Sequence, residues 1–207
     1  MKSLKRALFT VVRQFRYRKY AAKCRATHTT ILSNNCLAGV VYNSVSCPFL
    51  SPTINLTFEG DGFYQFVLNL EKYRHATLLP LGLDTMKAKL VAKNAPEIVI
   101  DFVHYHTWQE AEQAFYRRMA RINHENIVLL LEARFQDDLA NVDAWLSLPY
   151  RKYILTAQNP RGLNCIESLA FYRHARLNQS VVDACSPFGR RWIDEFDWLG
   201  KVFGVAR

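Results

Sequence analysis

Ser33, Asn34, Asn35 and Cys36 are four consecutive polar or nucleophilic residues inside the stretch TTILSNNCLAG, Thr29 to Gly39. Thr29 to Leu32 is β-branched and apolar, and small, helix-compatible residues follow the cysteine, so the pattern predicts strand, tight turn, helix. A thiol at a helix N-terminus lies in the positive end of the dipole, which favours the thiolate that attacks an acyl carbon. Cys36 is therefore the candidate nucleophile and Ser33 its competitor. The Asn34 and Asn35 amides, with the N–H groups of the turn, are candidate oxyanion donors. The same residues also have a structural reading, because asparagines cap helices and free cysteines are common in cores.

A base for such a nucleophile is offered by His104 and His106, which follow the strand-like run EIVIDFVH, Glu97 to His104. Asp101 or a backbone carbonyl would orient the imidazole. Residues i and i+2 share a side on a strand but need not do so past its end, so one histidine alone is expected to face a site. No third ligand stands at a telling spacing, and no metal is expected. Arg117, Arg118 and Arg121 lie on a helix predicted from Trp108 to Ile122. Arg117 and Arg121, four apart, share a face suited to a phosphate or a carboxylated sugar, although a solvated helix face carries such charges too. Asn159 and Arg161, in the loop Gln158 to Gly162, complete the candidate substrate-binding set.

The elements that must position these groups alternate along the chain. Strands are predicted at Thr53 to Phe58, Lys89 to Ala92, Glu97 to His104, Asn126 to Glu132 (NIVLLLE, continuous and apolar as buried parallel strands are) and Tyr150 to Thr156. Helices are predicted after Asp61, over Trp108 to Ile122, over Asp137 to Leu148 and in the tail from Pro187 to Phe203. The expected fold is α/β: a mostly parallel, Rossmann-like sheet in a three-layer arrangement flanked by helices. In such a sheet the loops Ser33 to Cys36, His104 to Thr107 and Gln158 to Gly162 all follow carboxyl ends of strands and would converge on one crevice.

The chain has 207 residues, 50% apolar and 13% aromatic, enough for one α/β domain with a proper core. Its net charge of +9 is unevenly distributed. Nine bases, Lys2, Lys5, Arg6, Arg13, Arg16, Arg18, Lys19, Lys23 and Arg25, precede the first acid, Glu59, and bases and acids balance afterwards. Leu4, Ala7, Leu8, Val11, Val12 and Phe15 fall at helical spacing among those bases. Residues 1–26 are thus expected to form a basic amphipathic helix ahead of a single domain over 27–207. Such a helix either lies on an anionic membrane or packs its stripe on the domain. A neutral body without a nucleic-acid motif argues against nucleic-acid binding. Five unpaired-looking cysteines exclude a disulfide framework, and the apolar runs are too short to span a bilayer. A cytoplasmic protein, peripheral at the inner membrane, is expected.

ILSNNCLAG (Ile31 to Gly39), PFLSPTINL (Pro48 to Leu56) and VHYHTWQEAEQAFYRRMARINHENI (Val103 to Ile127), with GRRWIDEFDWL (Gly189 to Leu199) more weakly, resemble the bacterial family catalogued as domain of unknown function 1919. The resemblance begins at Ile31 and leaves the basic N-terminus outside. Where the family's turn continues with an aromatic residue and a glycine, this chain has Leu37 and Ala38. The family occurs among capsule and exopolysaccharide biosynthesis proteins. A looser likeness, resting on Asn35 and Cys36, is to coenzyme A-binding polysaccharide biosynthesis proteins of the acetyltransferase type. The resemblance implies a transferase that moves an acetyl group from acetyl-coenzyme A to a sugar hydroxyl, through Cys36 or directly with a histidine as base. Two other expectations stand beside it. One is a glycosyl- or phosphosugar transferase using a nucleotide sugar, for which no acidic D-x-D-like metal site is present. The other is a non-enzymatic accessory protein of polysaccharide assembly.

Overall fold

The computed structural model describes residues 11, 15, 17–18, 20–82, 84–133, 142–156, 166–168 and 198–204. A basic first helix, α1, is continuous over residues 20–27. It leads into β1 (Thr30–Ser33) and α2 (Leu37–Ser44), the strand, turn and helix predicted around Cys36. There follow β2 (Thr57–Phe58), α3 (Gly62–Leu68), α4 (Leu70–Tyr73), β3 (Thr77–Pro80), β4 (Lys87–Val91), β5 (Ile98–Asp101) and α5 (Trp108–Met119). The chain continues through β6 (Ile127–Ala133), a helix at Val142–Ser147, β7 (Arg151–Thr156), β8 (Ile166–Ser168) and a helix at Trp198–Phe203.

The fold is mixed α/β, with two sheets where one mostly parallel sheet is expected. Strands β1-β6-β7-β8 form a four-stranded sheet with parallel pairing throughout. Strands β2-β5-β4-β3 form a second, antiparallel sheet. Connection length explains the division. Only residues 81–86 separate β3 from β4, and only 92–97 separate β4 from β5. A parallel crossover needs a dozen or more residues, so these strands return as an antiparallel meander. A helix intervenes between β5 and β6 and between β6 and β7, giving β6 and β7 room to run parallel.

The parallel sheet has a closed edge at β1, where a doubly wound sheet would continue on the other side. Thr30 N–H donates inward to Asn126 O at 2.9 Å, while the alternate amides point away from β6. On that side Ile31 N–H donates to the Tyr42 hydroxyl at 2.9 Å, which itself donates to Thr29 O at 2.8 Å. Ser33 N–H donates to Thr53 Oγ1 at 3.0 Å. Side-chain hydroxyls from α2 and from the proline-containing loop thus satisfy the strand edge. This is why Thr53–Asn55 turns beside β1 and the predicted strand Thr53 to Phe58 is reduced to its last two residues.

Strand β6 is buried along its whole length, as a central parallel strand must be. Leu32, Leu129, Leu131 and Ile154 point to one side and join Phe66, Leu90, Ile100, Phe102 and Phe115 from the antiparallel sheet and its helices. Ile31, Val128, Leu130 and Leu155 point to the other side. They pack on Tyr17, Tyr20, Ala21 and Cys24 of the first helix, on Leu37, Val41 and Tyr42 of α2, and on Leu199, Val202 and Phe203 near the C-terminus. The first helix is therefore seated on the parallel sheet by its tyrosines. Val11 and Phe15, of the stripe expected to be its apolar face, remain 63% and 72% exposed. No helix among the described residues is long and apolar enough to cross a membrane.

Candidate functional site

The turn after β1 is built by its own polar side chains. Ser33 Oγ donates to Asn35 O at 2.6 Å and accepts from Ala38 N–H at 3.1 Å, so the hydroxyl binds the first turn of α2 to the end of the strand. Asn35 Oδ1 accepts from Leu37 N–H at 3.0 Å, an Asx-type closure of the same turn. The Asn34 side chain lies across the neighbouring strand: its amide donates to Glu132 O at 2.9 Å, and its oxygen accepts Glu132 N–H at 3.0 Å. This continues the β1–β6 ladder by one side chain. The Asn35 amide reaches the carboxylate of Glu132, a residue only 1% exposed.

The expected roles at this turn are reassigned accordingly. The Ser33 hydroxyl is buried with both of its bonds made inside the turn, a cap and not a displayed nucleophile. Asn34 and Asn35 direct amide hydrogens at Glu132 in place of an oxyanion. Cys36 stands half-buried at the N-cap of α2, and its side chain makes no capping hydrogen bond. Glu132 escaped the sequence reading. Its signal was a single carboxylate closing the run NIVLLL, a place where a charge stays buried only with polar partners.

The histidines stand elsewhere. Strand β5, which precedes them, belongs to the antiparallel sheet, so the His104 to Thr107 loop does not follow a carboxyl end of the parallel sheet and the expected convergence does not form. His104 and His106 are both exposed, while Tyr105 between them turns inward and its hydroxyl meets Arg118 Nη1 at 2.5 Å. Asp101 pairs in register with Thr57 and Lys87, not with an imidazole. Lys87 is held above its ordinary pKa mainly by Glu59, 2.6 Å away, with Asp101 adding a smaller push.

Of the three arginines, Arg118 is buried and structural. Its guanidinium donates to Ile54 O at 3.0 Å and lies 5.3 Å from the Phe49 ring centre. Arg117 and Arg121 are exposed. Asn159 and Arg161, with the whole Gln158 to Gly162 loop, lie outside the described residues. No three of His, Cys, Asp and Glu come together among the described residues in a way that would hold a metal.

What the fold does form at the carboxyl edge of β1 is a cavity of about 250 Å³. Asn34 stands on one side, with Ala144 and Trp145 from the helix that follows β6. Phe58, Gly60, Asp61, Phe63 and Tyr64 stand on the other, at the β2–α3 turn. The turn is possible because Gly60 has φ 56°, in the left-handed region. Phe58 and Phe63 meet edge to face with ring centres 5.3 Å apart, which fixes the aromatic wall. Asp61 is exposed, and its carboxylate accepts from Gln65 Nε2 at 2.8 Å. The sequence carried a signal for this site in F-E-G-D-G-F-Y, an acidic glycine turn between aromatics, though its residues read there only as a helix start.

A family model described as Domain of unknown function (DUF1919) matches residues 8–200. The match begins inside the basic N-terminal segment, which the sequence resemblance left outside, in keeping with a first helix packed into the core. An uncharacterized protein of Haemophilus influenzae is 26% identical over 181 residues, 86% of this chain and 84% of the relative.

Proposed function

The chain belongs to the DUF1919 family, and from the cavity at the edge of its parallel sheet we propose that it is a carbohydrate-binding transferase whose acceptor sugar occupies that cavity. The single observation that carries this reading is the lining: Phe58, Phe63, Tyr64 and Trp145 around one carboxylate, Asp61, and one amide, Asn34. Aromatic rings take the C–H face of a pyranose, and a carboxylate offers the acceptors that orient its hydroxyls. The volume is just below the usual 300–1,000 Å³ of ligand pockets, which suits one sugar ring. An acyl-coenzyme A donor would lie outside it.

The reaction we propose first is O-acetyl transfer from acetyl-coenzyme A to a hydroxyl of that sugar, in the synthesis of capsular or exopolysaccharide. Cys36 follows a strand of the parallel sheet and the histidines follow one of the antiparallel sheet, which favours direct transfer over a Cys36–histidine relay. In direct transfer Asp61 would accept the hydroxyl proton as the hydroxyl oxygen attacks the thioester carbon; the C–S bond then breaks, and the same proton passes from Asp61 to the departing thiolate, so that coenzyme A leaves as the thiol.

Trp145 provides the test. Titration with hexoses, amino sugars, uronic acids and their nucleotide-linked forms should give a saturable change in tryptophan emission that Trp145→Phe abolishes. Asp61→Asn should weaken binding at least tenfold and remove acetyl transfer, and Cys36→Ala should leave transfer near normal. Response to nucleotide-linked sugars alone would move the assignment to glycosyl or phosphosugar transfer. Sugar binding without any transfer would make the protein an accessory of polysaccharide assembly. No response to any sugar would remove the reading.

A further inference from the structure

The first helix has two faces, and the fold uses one. Tyr17, Tyr20, Ala21 and Cys24 are buried against the parallel sheet. Cys24 and Cys47 sit side by side in that seam, and burial pushes the Cys24 thiol upward in pKa, as an apolar seat does. On the other side Val11, Phe15, Arg18, Ala22 and Arg25 are all exposed. Their spacing of four, three, four and three places them on one stripe of a helix. Val11 is 63% and Phe15 72% exposed, the most exposed of the large apolar side chains among the described residues. The Arg18 guanidinium lies 5.3 Å from the centre of the Phe15 ring. Beside the stripe, Arg18 and Arg25 border a hollow of about 460 Å³ with Tyr17, Ala21, Ser44 and Ser46.

We propose that this stripe docks on the surface of an anionic lipid bilayer, Phe15 and Val11 entering the acyl boundary and Arg18 and Arg25 engaging headgroup phosphates. Charge selects the occupant. The chain carries nine bases and no acid before Glu59, so its partner is negative. A second copy presenting the same stripe would bring arginine against arginine. A nucleic acid would satisfy the arginines and leave Val11 and Phe15 in water. A bilayer surface alone offers phosphate and hydrocarbon at the depths where one helix face presents guanidinium and ring. The stripe shares no residue with the cavity lined by Trp145, so the inference does not depend on what that cavity binds.

The test uses the full chain and co-sedimentation with vesicles of phosphatidylcholine alone or mixed in equal parts with phosphatidylglycerol. The protein should sediment with the mixed vesicles and stay in the supernatant with the neutral ones, less so as salt rises above about 0.15 M. A base near an anionic surface contributes about fivefold in affinity, so Arg18→Ala with Arg25→Ala should weaken binding roughly 25-fold. Phe15→Ala should weaken it about five- to tenfold through lost apolar burial. All three side chains are exposed, so the variants should melt with the parent, which separates lost docking from lost folding. Equal binding to both vesicle types, or undiminished binding by the variants, overturns the proposal. So does a short RNA bound equally well by Phe15→Ala, which assigns the stripe to nucleic acid. A dimer in solution that Phe15→Ala dissolves assigns it to a second copy instead.

Discussion

Ser33 shows how one hydroxyl is claimed by local geometry. In sequence it stands three residues before Cys36 and looks like a nucleophile; in the fold its oxygen bridges Asn35 O and Ala38 N–H. Ser33→Ala should lower stability by about 1–2 kcal/mol, since Ala38 N–H and Asn35 O lose their partner in a buried turn. For a chain of this size that is a fall in melting temperature of roughly 2–8 °C. Sugar affinity measured through Trp145 should be unchanged, and loss of binding with unchanged stability would return Ser33 to the site. Strand, turn and helix around Cys36 were legible because β-branched residues, then Ser-Asn-Asn, then small residues are local signals. The partner of the turn was not legible, because Glu132 lies 97 residues from Asn35 and only the β1–β6 register brings them together.

Element by element, Arg118 ties α5 to two loops. Its guanidinium holds Ile54 O and the Tyr105 hydroxyl and stacks by Phe49, so α5, the Phe49 to Ile54 loop and the histidine loop form one unit. Arg118→Ala should destabilise by about 3 kcal/mol, because a buried carbonyl and hydroxyl lose a charged donor. Lys in its place should recover little, since it lacks the planar fork. Arg117→Ala and Arg121→Ala, on exposed positions, should change stability by no more than about 0.5 kcal/mol. Denaturant unfolding of the four variants checks the ranking, and equal effects at all three arginines would refute it. Helical spacing placed Arg117 and Arg118 on α5 correctly, but α5 stops at Met119, short of the expected Ile122, and leaves Arg121 in the turn beyond it. The spacing did not say which one faces the loops, because that depends on how α5 crosses the sheets.

For the whole molecule, buried hydroxyls and thiols set an alkaline limit. Burial pushes Tyr42 and Cys24 up, and Tyr73 is pushed up to about 12, chiefly by burial. Their ordinary values are 9.0 for the thiol and 10.0 for the hydroxyls. Below those values the folded and unfolded chains hold the same protons, and the contribution to stability is complete. As pH rises through them the unfolded chain releases protons that the folded chain keeps, so stability falls. Denaturant unfolding at about pH 8 and about pH 11 should show this loss. Tyr42→Phe should be less stable at the lower pH, having lost the bonds to Ile31 and Thr29, yet show a shallower alkaline decline. An unchanged slope would mean that Tyr42 is not among the groups responsible.

The sequence by itself determined the pieces whose causes are local. The apolar run of β6, the periodicity of α5 and the β1 turn are all written within a window of a dozen residues. Family membership was legible as well, from motifs spread along the chain. Only the tertiary structure decided which strands share a sheet, because the short connections after β3 and β4 make those strands antiparallel and put the histidines after a strand of a different sheet from the one that precedes Cys36. It also decided which face of the first helix is buried. Two tyrosines, an alanine and a cysteine fit the sheet, leaving Val11 and Phe15 in solvent. The cavity joins Asn34, Asp61 and Trp145 from three distant parts of the chain, and packing alone makes them neighbours.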